Sequence, residues 1–247
     1  MSNNVIPFEL ESLSNATEYQ KWFFELVSPY LGKRILEVGS GIGNMSTWLN
    51  VGDLLTLSEA DEALIPVLKN KILNHFKDKE KIEIYKVDLE NSKWVDELKL
   101  KNFDTIISFN VMEHIVDHFS SFSNFYEILK ASNVDGTKKI ITIVPAHQWA
   151  YGTFDSKFKH IRRYSYKDFY QIRENCFPTA DIKFQYINLI GLAGWVLMGK
   201  ILKKENLGNS SVDLFEKICP HIKKFDNFLH QNLRIPVGQS ILCVYSF

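Results

Sequence analysis

RILEVGSGIGN, residues Arg34–Asn44, is the stretch from which the fold can be read. Arg34–Val38 is a short apolar run of strand length, and Gly39-Ser40-Gly41-Ile42-Gly43 follows it without a break. Glycines at alternate positions allow a tight turn and bring backbone N–H groups close to a ligand. A helix is expected next, over about Asn44–Leu49. Glu37, at the mouth of the loop, separates this pattern from a dinucleotide site. A carboxylate repels pyrophosphate and suits a cationic ligand that carries an amino group.

Working outward, the elements alternate. Leu54–Ser58 is a second strand and runs into Glu59, 20 residues past Gly39, where a carboxylate accepts hydrogen bonds from ribose hydroxyls. Lys81–Asp88 alternates as a third, with Asp88 at its end to take an adenine amino group. Phe103–Phe109, Lys139–Val144 (stopped by Pro145), Asp181–Ile187 and Ser240–Ser246 complete seven strands. Helices are expected at Asn15–Pro29, with Trp22, Phe23, Leu26, Val27 and Tyr30 on one stripe, and at Asp61–Phe76, kinked by Pro66. Two more span Asp117–Ala131 and the residues after Ser165, where Asp168 completes a capping box. Strands alternating with helices imply an α/β, doubly wound, mostly parallel sheet.

Between the last two strands lie about fifty residues rich in aromatic and aliphatic side chains, too many for a bare loop. The expectation is a helical insertion, 188–239, with helices near Gly194–Lys204, Val212–Cys219 and Ile222–Asn232, walling an acceptor pocket. Residues 1–32 then form a helical lid, and 33–187 with 240–247 the core of a single domain.

The chain has 247 residues, 45% hydrophobic and 13% aromatic, with Lys+Arg and Asp+Glu balanced at 29 each. That suffices for one large core and argues against disorder and against a nucleic-acid coat. Cys176, Cys219 and Cys243 are dispersed with no CxxC pair, as in a reducing cytoplasm. Met1–Leu10 lacks the pattern of a signal peptide, and Phe184–Gly199 falls short of a membrane span.

In family order, ILEVGSGIGN (Ile35–Asn44), LSEAD (Leu57–Asp61), Val87-Asp88-Leu89 and FDTIISFNVMEHI (Phe103–Ile115) resemble the class I S-adenosylmethionine-dependent methyltransferases, which have a Rossmann-like fold. The resemblance implies that Glu37, Gly39, Gly41 and Gly43 hold the methionine end of S-adenosylmethionine, Glu59 the ribose, and Asp88 and Leu89 the adenine. Asn110 would face the methionyl part and Tyr19 close over it.

The acceptor side centres on KFKHIRRYSYK, Lys157–Lys167. Only five arginines stand against 24 lysines, and Arg162 and Arg163 are adjacent. A planar fork binds carboxylate or phosphate in a way an ammonium does not. The alternative is ion pairing with acids such as Asp155 and Asp168. The run VPAH…YG…D…HxRRY, with His147, Tyr151, His160, Arg162, Arg163 and Tyr164, resembles a methyltransferase subgroup that includes peptide C-terminal carboxyl O-methyltransferases of lanthipeptide (RiPP) pathways. A carboxylate acceptor needs a cationic clamp and no base, whereas a hydroxyl or amine of a small metabolite or sugar needs deprotonation by His147 or His160. A noncatalytic binding module is the further alternative. No metal is expected, because His114 and His118 have no third ligand in sight. No nucleic-acid partner is expected either, since FNVMEHI lacks the Asn/Asp-Pro-Pro-aromatic motif of amino-methylating enzymes. The expected reaction is therefore O-methylation of a carboxylate, with a peptide C-terminus as the favoured acceptor and a small molecule as the alternative.

Overall fold

The computed structural model describes residues 6, 7, 10, 11, 13–204, 209–233 and 235–247. Parts of the expected lid (1–5, 8, 9 and 12) and of the insertion (205–208 and 234) lie outside the described residues.

Seven strands form one sheet: β1 Arg34–Val38, β2 Leu54–Glu59, β3 Ile82–Lys86, β4 Thr105–Phe109, β5 Lys139–Pro145, β6 Asp181–Ile187 and β7 Ser240–Ser246. Their order is β3-β2-β1-β4-β5-β7-β6. The first five are parallel, and β7 lies antiparallel between β5 and β6. Strands β1, β2, β4, β5 and β7 are buried nearly throughout. That is why they read as continuous apolar runs and not as alternating ones.

The helices are α1 Thr17–Val27, α2 Ile65–His75, α3 Val95–Lys99, α4 His118–Ala131, α5 Thr153–Lys157, α6 Tyr166–Cys176, α7 Leu189–Trp195 and α8 Asn209–Asn232. Two hydrophobic layers cover the sheet. One holds Phe122, Phe125, Tyr164, Phe169 and Phe177, and the other Trp22, Phe23, Leu68, Ile72 and Cys219. Among the described residues, no helix is long and apolar enough to cross a membrane.

Three local expectations change. The loop after β1 leads into a single 3₁₀ turn, Ser46–Trp48, not a helix over Asn44–Leu49. Only ten residues separate Gly43 from Leu54, too few for a helix and the return to β2. Pro66 sits in the first turn of α2, where its missing N–H costs nothing, so it starts the helix instead of kinking it. Beyond β6 the chain forms α7, a π-helical turn Val196–Ile201, and one helix, α8, that runs through Pro220. Two helices were expected where α8 lies.

Candidate active site

The loop after β1 places its glycines at positive φ: Gly39 at 70°, Gly41 at 56° and Gly43 at 83°. At Gly39 the requirement is also steric, since a Cβ there would stand 2.4 Å from Val111 Cγ2. The loop is pinned by a bond from Ser40 N to the Ser58 carbonyl, 2.8 Å. Glu37 lies beneath it, fully buried, and accepts bonds from Ser40 Oγ (2.9 Å) and Ser46 Oγ. Burial lifts its carboxyl to about 7, against the pull of those two hydroxyls.

Glu59 ends β2. One of its oxygens accepts from Gly41 N (2.7 Å), the other from Ala60 N and Asp61 N (2.9 Å each). A carboxylate offers about four acceptor positions, so one is left for a ligand hydroxyl. Asp88, two residues past β3, is exposed, with one oxygen turned to Glu90 N (3.0 Å), and Leu89 is buried beside it. Asn110, just past β4, adopts φ 52° and keeps an exposed side chain. Leu10 covers the loop: its side chain packs over Gly41 and its carbonyl accepts from Asn44 Nδ2, 2.8 Å. Tyr19 of α1 packs against Phe23 and Phe215, and its hydroxyl faces Ser240. Burial pushes that phenol well above its ordinary range, with the charges of Cys219 and Glu113 adding to the effect.

The residues of the acceptor-side motif mostly face inward. Arg163 is 4% exposed. Its Nε donates to Asp155 Oδ1 (2.7 Å), its NH1 to the Ala146 carbonyl (2.9 Å), and its guanidinium lies 4.9 Å from the Trp195 ring. It is therefore enclosed in an ion pair and does not present an open fork, which corrects the expectation of a two-arginine clamp. Arg162 remains partly exposed, with NH2 on the Val116 carbonyl, 2.9 Å. Tyr164 is buried; its hydroxyl donates to the Met112 carbonyl (2.9 Å) and meets His118 Nδ1 (2.8 Å). Tyr151 donates its hydroxyl to the His160 carbonyl, 2.8 Å. Both tyrosines hold the loop in place.

The two histidines part company. His147, at φ 65°, is stacked on Tyr186 (ring centroids 4.8 Å, planes 7° apart) and on Trp149, and its Nε2 lies 3.4 Å from Gly238 N. Burial and the charge of Arg163 hold it below its ordinary range. His160 Nδ1 meets Asp155 Oδ1 at 2.8 Å, which leaves Nε2 facing Glu113 Oε1 at 3.9 Å. The ring of His114 is 4.9 Å from that of His160. Ligand atoms of Glu113, His114 and His160 all lie within 4.8 Å of one another.

Burial, with the His160 charge adding, brings His114 down to about 4, so it is neutral at pH 7. The sequence pairing of His114 with His118 does not survive. His114 closes a 3₁₀ turn, Met112–His114, whereas α4 starts at His118. The partner that spacing could not reveal is His160. A bond from Ile161 N to the Glu113 carbonyl (2.8 Å) and the Ala146–Tyr164 bridge carry its loop across the ends of β4 and β5. Asp155, the centre of the network, was visible only as one possible ion-pair partner.

Residues 36–133 match the family model described as "Methyltransferase domain". Among curated proteins none matches the chain in sequence. The fold is similar to that of the methyltransferase domain of a bacterial CtHen1 (TM-score 0.59, 10% identity, 94% of this chain and 99% of the other). It is also similar to the YcgJ protein of Bacillus subtilis (0.56, 10%, 93% and 98%). A third similar structure is magnesium protoporphyrin IX methyltransferase from Synechocystis with bound SAH (0.52, 13%, 74% and 82%). Residues 36–133 thus resemble a methyltransferase domain, and the sheet has the Rossmann-like fold of these structures. The matched segment supports a methyltransferase activity. The donor set agrees: a buried acid suited to an ammonium, a carboxylate with one acceptor position open, and glycines that admit no side chain.

Proposed function

We propose that the protein is an S-adenosylmethionine-dependent O-methyltransferase whose acceptor hydroxyl docks past the ends of β4 and β5, beside Glu113, His114 and His160. The observation that carries this reading is the convergence there of a fully buried carboxylate and two imidazoles, one fixed by Asp155. In this reading Glu37 and the Gly39–Gly43 backbone hold the methionine end of the cofactor, Glu59 the ribose, and Asp88 and Leu89 the adenine. Asn110 and Tyr19 border the methionyl part. Once bound, S-adenosylmethionine supplies a methyl group on a sulfonium.

What the chain itself contributes is alignment. In-line displacement gains most from holding donor and acceptor in near-attack geometry. Glu37 fixes one end through the ammonium. The Glu113–His114–His160 cluster holds the acceptor oxygen, whose proton passes to water as the methyl group arrives. Helices α7 and α8 wall the acceptor side, a role supported by Trp195, whose Nε1 donates to Asp155 Oδ2 at 3.1 Å. Helix α1 serves as a lid, tied to α8 through Glu216. Cys176, Cys219 and Cys243 are free thiols, in keeping with a cytoplasmic setting.

A second reading has a carboxylate acceptor, such as the C-terminus of a natural-product peptide. The partly exposed Arg162 favours it as a single-arginine clamp. One experiment separates the two. Methyl-labelled cofactor is incubated with the enzyme and a fractionated lysate of its host, and the product is treated with mild base. Label that survives as an ether supports the hydroxyl reading; label lost as methanol marks a methyl ester and overturns it.

A further inference from the structure

We propose that Glu113, His114 and His160 form a binding site for one divalent transition-metal ion, open to the acceptor. Three features support this, none of which depends on the family. The first is the donor set: a carboxylate oxygen and two imidazole nitrogens within 4.8 Å of one another, brought together from a turn after β4 and a loop 46 residues further on. One carboxylate with two histidines suits borderline first-row ions such as Zn²⁺, Co²⁺ or Mn²⁺, and three protein ligands leave positions for an exchangeable oxygen.

The second is the shell behind the donors. Metal-binding histidines generally give their other ring N–H to a carboxylate or a backbone carbonyl, which fixes the tautomer and turns the lone pair inward. His160 Nδ1 meets Asp155 at 2.8 Å, which turns Nε2 toward Glu113. Lys159 adopts φ 60°, an uncommon conformation for a long side chain, directly ahead of the ligand it positions. Asp155 is in turn held by Arg163 and Trp195, so the orienting acid is itself oriented.

The third is burial. Glu113 is 0% exposed, and carboxylates in that setting are paired or coordinate metals. The position also fits use, since Glu113 is three residues past Asn110 at the end of β4. An acceptor hydroxyl bound to the ion loses its O–H proton to water more readily, because the ion lowers its pKa. This catalytic role rests on the hydroxyl reading above; the binding site does not.

The test therefore uses no acceptor. The full chain, stripped with EDTA, is titrated with Co²⁺ and followed by visible absorption and calorimetry, and the experiment is repeated with His114→Ala and Glu113→Gln. His114 lies outside the Asp155–Arg163 network, so its variant keeps the fold, which a thermal shift with S-adenosylhomocysteine equal to that of wild type verifies. The expected result is one Co²⁺ per chain, with affinity reduced at least about 100-fold in both variants. Co²⁺ binding that is absent, or that persists undiminished in His114→Ala, overturns the site. Since the readout is metal binding alone, a methyl-ester product would refute the hydroxyl reading without touching it.

Discussion

His160 Nδ1 and Asp155 Oδ1 stand 2.8 Å apart, and the same oxygen takes Arg163 Nε at 2.7 Å. Burial raises the Asp155 carboxyl, but the His160 bond and the Arg163 charge outweigh it and hold the group below its ordinary range. One acid thus aims an imidazole at the site on one side and is neutralised on the other.

The first prediction concerns the two arginines. Arg163→Lys keeps the charge but loses the planar fork that spans Asp155 and the Ala146 carbonyl. It should cost about 3 kcal/mol, as the loss of a buried partner does. Arg162→Lys, with one exposed bond to lose, should stay within about 0.5 kcal/mol of wild type. Urea unfolding midpoints compare them, and equal midpoints would contradict the buried network.

Glu37 sets a pH dependence. Its carboxyl is raised from an ordinary 4.5 to about 7 in the folded chain. Stability from the protonated acid is therefore fully present below pH 4.5 and is lost as pH rises through 7, on the order of 3 kcal/mol in all. A bound ammonium reverses the preference, because it favours the ionised acid. Affinity for S-adenosylhomocysteine should accordingly rise roughly five- to tenfold between pH 6 and 7.5, and Glu37→Gln should flatten the profile. A wild-type profile as flat as the variant's would remove Glu37 from the cofactor site.

Gly39→Ala should destabilise the chain by about 2–4 kcal/mol, from positive φ and from the Val111 contact together. Paired with Val111→Ala, the loss should fall short of the sum of the single losses by about 1 kcal/mol, since only the steric part is relieved. Strict additivity in chemical denaturation would show that the contact carries no strain.

Glu216 of α8 accepts from Thr17 Oγ1 (3.3 Å), Glu18 N and Tyr19 N (3.4 Å), and so caps α1 from across the chain. Ala16, at the N-cap position, makes no side-chain bond. Glu216→Ala should cost about 1 kcal/mol and speed amide exchange at Glu18 and Tyr19 about fivefold. Unchanged exchange there would mean that α1 is held by its apolar face alone.

The glycine loop, the seven strands and their alternation with helices were legible in the sequence because each depends on neighbours in the chain. A strand running into alternate glycines declares itself locally. The acceptor side was not legible in this way. Arg163 and His160 sit in one short run, but what they do is decided by Asp155, Trp195 and Glu113, which reach them only through packing. The missing helix after Gly43 and the straight start at Pro66 were readable in principle, from loop length and from the tolerance of a first turn for proline.

The placement of β7 bears on how the protein is made. Its seven residues are synthesised after β6 and yet lie between β6 and β5. A nascent chain complete to Gln239 has β1–β5 ready to assemble but two strand edges without their partner, and open edges invite pairing with other molecules. The interval before Ser240–Ser246 leaves the ribosome is when aggregation threatens most. A premature stop just ahead of β7 would unpair two strands at once, damage out of proportion to the residues lost.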